Sequence, residues 1–140
     1  MTSFSFSPQE QALFDSLGID ALILFGSQAQ GTAGVLSDFD FGVLTAPTAR
    51  DRDPRRKIYD ALYEILSGKT TPFAHIDIVF LDAASLELQK NAATHGRVLY
   101  ERSPQTTARF REHTMEFYAD FTPLRDIFHK AILARIPPFS

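Results

Sequence analysis

Three segments of the chain have the apolar patterns of β-strands. Residues 21–25 form a continuous apolar run, and residues 38–44 and 75–81 alternate apolar and polar side chains. A period of two places successive side chains on opposite faces of a sheet. A shorter stretch at residues 97–100 is expected to add an edge strand. The pattern therefore predicts a small sheet.

Helical signals separate these strands. Residues 7–10 read Ser-Pro-Gln-Glu, a capping box that predicts a helix to about residue 17. Apolar residues at helical spacing predict a second helix from about residue 53 to 67 and a third from about residue 83 to 93. We therefore expect an α/β (α+β) fold with a small mixed sheet flanked by helices, which cover the face opposite the candidate site described below.

A last helix is predicted to begin at Ser103 and Pro104, giving a C-terminal helical tail over about residues 104–135. Pro123 is expected to kink this helix or divide it near residues 121–122. An apolar stripe follows alternating four- and three-residue steps along it, at Phe110, Thr114, Phe117, Phe121, Leu124 and Phe128. The stripe is expected to be core or helix-packing surface, and any exposed part would be a candidate interface.

Composition narrows the class of protein. The 140 residues are 44% hydrophobic with thirteen Phe, enough for a single domain with its own core. There is no Cys, no signal-peptide pattern and no apolar run of membrane-spanning length, so we expect a cytoplasmic protein without a membrane segment. The net charge of −3 argues against direct nucleic-acid binding, which needs a basic surface.

The candidate chemistry begins where the first strand ends, at Gly26 and Ser27. Glycine allows close backbone approach to a ligand, and the N–H groups at the start of the short segment after it favour an anion. The hydroxyl of Ser27 can donate to a phosphate oxygen. These two residues are the candidate nucleotide-binding turn.

Two carboxylates follow at a fixed distance. Asp38 and Asp40 alternate with Phe39 and Phe41, so both carboxylates share one face above an aromatic underside. Paired carboxylates repel each other, and Mg²⁺ bound between them and a substrate phosphate removes that cost. Asp38 and Asp40 are therefore candidate metal ligands.

Asp77 supplies a third carboxylate on an otherwise core-forming strand. A charge there is costly unless it is paired or liganded. We interpret it as the third metal ligand. The alternatives are an ion pair with Lys69 or another base, or Asp82 in the metal role, although Asp82 is better placed to cap the following helix.

Two neighbouring features have less specific interpretations. His75 shares the face of Asp77 and either contacts the nucleotide or is a solvated strand end. A basic cluster at residues 50–57 either contacts phosphate or is the solvated start of a helix.

Together these residues resemble the DNA polymerase β-like nucleotidyltransferase superfamily, through the Gly-Ser turn, the paired aspartates and the third strand aspartate. The short chain and its tail, residues 96–101 followed by an aromatic helix, are similar to the minimal MntA-type antitoxin branch. The resemblance implies the polymerase β-like nucleotidyltransferase fold, as one domain over residues 1–140.

The resemblance also implies an activity. In that family Gly26 and Ser27 would hold the triphosphate of ATP, and Asp38, Asp40 and Asp77 would bind two Mg²⁺ ions and act as the catalytic residues. It implies a type VII-like toxin-antitoxin pair in which the antitoxin transfers AMP from ATP to a tyrosine of a HEPN-domain toxin, within a hetero-oligomer. Gln28 and Gln30 depart from the family, where many relatives carry arginine.

Two other functions remain open. The chain could neutralise a partner by binding alone, without catalysis. It could also transfer a nucleotide to a small molecule, although it is short for an enzyme that carries an acceptor-binding domain.

Overall fold

The structure, a computed structural model, describes residues 4–26, 38–47, 52–71 and 74–135. Four strands form one sheet in the order β3-β2-β1-β4. The β1–β2 and β1–β4 pairs are antiparallel and the β2–β3 pair is parallel. This confirms the expected mixed sheet and α/β class. The elements are α1 (Pro8–Ser16), β1 (Ile19–Phe25), β2 (Phe39–Thr45), α2 (Arg52–Ser67), β3 (Ile76–Phe80), a 3-10 helix (Leu81–Ala83), α3 (Leu86–His95), β4 (Arg97–Glu101) and α4 (Pro104–Arg135).

The capping box at the start of α1 forms as its sequence predicts. The Ser7 hydroxyl accepts from the Glu10 backbone N–H at 3.1 Å, and the Glu10 carboxylate accepts from the Ser7 N–H at 2.9 Å. The Lys69 ammonium lies 3.1 Å from the same carboxylate, and its hydrogen bond to the Ser5 carbonyl ties the end of α2 to the start of the chain. These contacts tie the start of α1 to the segment that follows α2.

The larger apolar core lies on the face of the sheet that bears the odd-numbered residues of β2. Phe39, Phe41 and Val43 are buried there with Ile58 and Leu62 of α2. Strict alternation along β2 gives this face its aromatic floor, as the sequence predicts.

A second, smaller core lies on the opposite face, where Phe25 and Ile23 of β1 pack with Leu81 and with Ala92 of α3. Phe25 is the register partner of Asp40, and directly paired residues of an antiparallel ladder share a face. Helices therefore cover part of the aspartate face as well. The expectation that they cover only the other face is wrong, because α3 follows β3 back across the sheet.

Helix α4 runs without interruption from Pro104 through Pro123, so the helix is not divided near residues 121–122, whereas the alternative of a kink there stays a prediction. In the first part of α4, Thr107 and Thr114 are buried, and Phe110 packs against the second core.

Candidate active site

Three strand ends meet at one end of the sheet and bring the candidate residues together. Register pairs Phe25, the last residue of β1, with Asp40 near the start of β2. The parallel ladder pairs Asp40 with Asp77 near the start of β3. Adjacent strands lie about 4.8 Å apart, so the two carboxylates stand side by side. Asp38 precedes β2 at the same end.

Gly26 closes this end of the sheet with a backbone conformation that favours glycine. Its φ is +75°, in the left-handed region. A Cβ placed on Gly26 would lie 2.5 Å from Oδ2 of Asp40, which is closer than atoms can approach. The turn and the carboxylate are therefore in direct contact, and only glycine allows it.

The carboxyl group of Asp40 has a raised pKa in the folded chain. Burial is the main cause that raises the pKa of its carboxyl above the ordinary value of 3.8, and the negative charges of Asp77 and Asp38 raise it further. His75 acts in the opposite direction on that pKa. The arrangement therefore holds a charge that the folded chain accommodates poorly without a cation.

The donor set fits a hard divalent cation. Three carboxylates at one sheet end offer the oxygen ligands that Mg²⁺ takes, with positions left for substrate phosphates. Asp38 and Asp77 are exposed, and within the described ranges no three His, Asp or Glu side chains form a ready-made metal site. Mutual repulsion of like charges accounts for this spread.

Lys69 is not available as an ion-pair partner of Asp77, because its ammonium is engaged by the Glu10 carboxylate and by the Ser5 carbonyl. Asp77 itself is exposed.

Asp82, the alternative third carboxylate, pairs with Arg55 of α2, and the guanidinium of Arg55 also lies 4.9 Å from the ring centroid of Phe80. Asp82 lies beyond the carboxyl end of β3, whereas Asp77 lies near the start of that strand. Asp82 also does not cap α3, because Ser85 accepts the Leu88 N–H at 3.2 Å. The expected helix cap by Asp82 is therefore wrong, and its pairing with Arg55 argues against the metal role.

The same ion pair shows where Arg55, a member of the basic cluster, lies relative to the candidate site. Arg55 reaches the carboxyl end of β3, whereas the candidate site is at the other end of that strand. The solvated or structural interpretation of this cluster is thus favoured for Arg55 over phosphate contact.

An aromatic contact that sequence reasoning missed supports the start of β2. Phe4 packs edge-on against Phe39 at 6.1 Å and against Phe41 at 5.5 Å between ring centroids. It thereby buttresses the underside of the strand segment that carries Asp40. Thirty-five positions separate Phe4 from Phe39, so no local pattern indicates the contact.

Ser27, Gln28 and Gln30 lie outside the described residues, so the role of Ser27 stays a prediction. His75 is exposed at the site, with its carbonyl accepting the Phe39 N–H at 2.8 Å. None of the helices in the described ranges is long and apolar enough to cross a membrane.

Comparison with known families agrees with this geometry. The family model described as polymerase beta, nucleotidyltransferase matches residues 10–105, which include Gly26 and all three aspartates. The chain therefore belongs to the polymerase beta nucleotidyltransferase family. None of the curated proteins compared with it matches its sequence significantly.

Solved structures share the fold over most of the chain. A chain of a toxin-antitoxin complex with AMP-PNP is similar with a TM-score of 0.67 and 24% identity, covering 91% of this chain and 99% of that one. A chain from the complex of a tri-AMPylated Shewanella oneidensis HEPN toxin with MNT antitoxin matches with a TM-score of 0.60 and 22% identity, over 88% and 95%. A chain of the MntA-HepT toxin-antitoxin matches with 0.59 and 22%, over 91% and 99%. At these identities the likeness establishes the polymerase β-like nucleotidyltransferase fold.

Proposed function

We propose that the chain is a Mg²⁺-dependent adenylyltransferase that moves AMP from ATP to a tyrosine of a HEPN-domain toxin, and so acts as its antitoxin. The observation that carries the proposal is the meeting of Gly26, Asp40 and Asp77 at one end of the sheet in a chain of the nucleotidyltransferase family. Such a site has the components that nucleotidyl transfer requires: a close backbone approach for phosphate and carboxylates for metal.

The roles of the residues follow from their positions. Gly26 and Ser27 would hold the β- and γ-phosphates through backbone N–H groups and the serine hydroxyl. Asp38, Asp40 and Asp77 would hold two Mg²⁺ ions, which neutralise phosphate charge and lower the pKa of a hydroxyl when bound. The raised pKa of the Asp40 carboxyl supports this assignment, because burial and the neighbouring negative charges disfavour its ionised form without a compensating cation.

The proposed transfer proceeds by in-line displacement. The tyrosine oxygen forms a bond to the α-phosphorus of ATP, and the bond from that phosphorus to the oxygen bridging to the β-phosphate breaks. The electron pair of the broken bond leaves with pyrophosphate. The phenolic proton passes to the carboxylate of Asp77, which is exposed and can face an incoming acceptor.

Similar solved structures support the partner and the nucleotide. One comes from a toxin-antitoxin complex with AMP-PNP, and another from a complex whose HEPN toxin is tri-AMPylated. Docking of the whole acceptor protein would orient its hydroxyl at the site. ATP and the toxin would both be met in the cytoplasm, within a hetero-oligomer.

A binding-only antitoxin is the second candidate. The observation that favours it is the presence of Gln28 and Gln30 where many relatives carry arginine, which removes two cations from the phosphate turn. The intact set of aspartates favours catalysis instead. Transfer to a small molecule ranks third, because the similar solved structures come from toxin-antitoxin complexes.

Growth rescue separates the first two candidates. Co-expression of the toxin with the wild-type chain should restore growth, and co-expression with an Asp38→Ala, Asp40→Ala double variant should not, although Phe39 and Phe41 keep the strand in place. The matched control is Asp60→Ala, an exposed carboxylate of α2 away from the site. Equal rescue by the double variant would establish neutralisation by binding alone.

A further inference from the structure

From residue 117 onward, α4 presents large apolar side chains to solvent. Phe117, Ile127 and Phe128 are 60%, 62% and 57% exposed. Earlier in the helix Thr114 is buried, and the ring of Tyr118 lies 4.7 Å from the Lys90 ammonium. A helix that exposes such side chains is stable when another surface covers them.

The apolar stripe of the sequence continues over residues 117–128 with coiled-coil spacing. In the sequence it runs through Phe117, Phe121, Leu124 and Phe128 at steps of four, three and four residues. This is the a/d pattern by which one helix packs along another. The stripe is therefore suited to a helix as its cover.

The stripe is self-complementary when it is read in opposite directions. An antiparallel pair centred between residues 122 and 123 places Phe117 of one copy opposite Phe128 of the other, and Phe121 opposite Leu124. Each such layer joins an a position to a d position, as antiparallel coiled coils do. A single two-fold axis would therefore pair every stripe position from 117 to 128 with a stripe position of the other copy.

Charge favours the same arrangement. Residues 112–122 contain three acidic residues and no Lys or Arg, whereas residues 123–135 contain three Lys or Arg against one Asp. Antiparallel pairing lays the acidic segment of one copy along the basic segment of the other and also opposes the helix dipoles. Parallel pairing would place like charges together.

We propose that a second copy of this chain covers the stripe, through an antiparallel, two-fold symmetric pairing of residues 117–128 of α4. The interface is short, so its dissociation constant should be about 1–100 μM. The inference is independent of the proposed transfer activity, because it concerns the chain alone.

Sedimentation equilibrium of the purified chain without nucleotide or partner tests the proposal. The wild type should show a monomer–dimer equilibrium, and Phe117→Glu should weaken dimerisation at least tenfold because it buries a charge in a stripe layer. Tyr63→Glu is the matched control, since it changes an exposed aromatic residue of α2 and should leave the dimer intact. A monomer up to about 500 μM would overturn the proposal.

A cysteine probe tests the direction of pairing, because the chain contains no cysteine of its own. Spin labels on Glu116→Cys in one copy and His129→Cys in the other should lie close together, whereas labels on two copies of Glu116→Cys should be about 20 Å apart along the axis. The reverse distances would indicate a parallel pair and overturn the proposal. A monomeric chain whose Phe117→Glu variant loses only toxin binding would assign the stripe to the toxin instead.

Discussion

Asp40 and Asp77 are register partners in the parallel ladder of β2 and β3, so two carboxylates face the same side of the sheet from neighbouring strands. Burial of Asp40, and then the charge of Asp77, raises the pKa of the Asp40 carboxyl. The folded chain therefore binds a proton at Asp40 more tightly than the unfolded chain does. The stability that this contributes is present at low pH and is lost as pH rises through the raised pKa.

Replacement of Asp40 should consequently stabilise the metal-free chain. Asp40→Asn removes a poorly accommodated charge, so the Tm at neutral pH without Mg²⁺ should rise by about 2–4 °C. The difference should shrink as pH falls below the raised pKa, where the wild-type carboxyl is protonated. Differential scanning calorimetry across pH measures it.

Mg²⁺ should reverse the order of the Tm values of the wild type and Asp40→Asn. It should raise the Tm of the wild type and leave that of Asp40→Asn nearly unchanged, because the variant lacks a ligand. Asp60→Asn on α2 serves as control and should respond to Mg²⁺ as the wild type does. A wild type that is insensitive to Mg²⁺ would contradict the metal assignment.

Gly26 should tolerate no side chain. Gly26→Ala forces a Cβ against Oδ2 of Asp40 and strains a backbone with φ of +75°. ATP affinity measured by calorimetry should fall about tenfold or more, since the phosphate turn must shift. Gly68→Ala is the control, because its Cβ would make only ordinary contacts at 3.6 and 3.9 Å. Equal losses in both variants would mean that the phosphate cradle lies elsewhere.

Asp77 should matter more to transfer than to binding. Asp77→Asn keeps the side-chain shape and removes the charge and the basicity, so the AMP-transfer rate should fall by about 10²–10⁴ while ATP affinity changes only modestly. Single-turnover kinetics at saturating ATP separate the two effects.

Asp82→Asn provides the contrast, because Asp82 pairs with Arg55 at the other end of β3. It should lose stability, by about 1–3 kcal/mol, and retain the transfer rate. If AMP transfer were slow in Asp82→Asn and fast in Asp77→Asn, the catalytic role would belong to Asp82 and not to Asp77.

Phe4 should stabilise the start of β2. Phe4→Ala removes the edge-on contacts with Phe39 and Phe41 and should cost about 1–3 kcal/mol in the free energy of unfolding, measured with urea. Leu13→Ala, which truncates an exposed residue of α1, should cost less than half as much. The opposite ranking would show that Phe4 packs weakly in solution.

Much of the site was predictable from local patterns. Alternation along β2 and β3 determines which face carries Asp40 and Asp77, and the parallel register then brings them together. The capping box of Ser7 and Glu10 likewise formed as predicted, because both of its hydrogen bonds join residues three apart.

The remaining features depend on contacts between distant residues. The pairing of Asp82 with Arg55 joins positions 27 apart. The local sequence around Asp82 predicts a helix cap instead, because it contains no sign of this distant partner. The contact of Phe4 with Phe39 also joins distant positions, so no local pattern predicts it.

The central claim is covalent transfer of AMP to the partner, and intact mass spectrometry tests it most directly. The chain, its toxin, ATP and Mg²⁺ are incubated, and the toxin is weighed and then mapped by peptide fragmentation. The account predicts increments of roughly 329 Da on a toxin tyrosine, since each transfer leaves one AMP on a hydroxyl. The Asp38→Ala, Asp40→Ala variant should produce none. A toxin that is neutralised without any gain in mass would contradict the account.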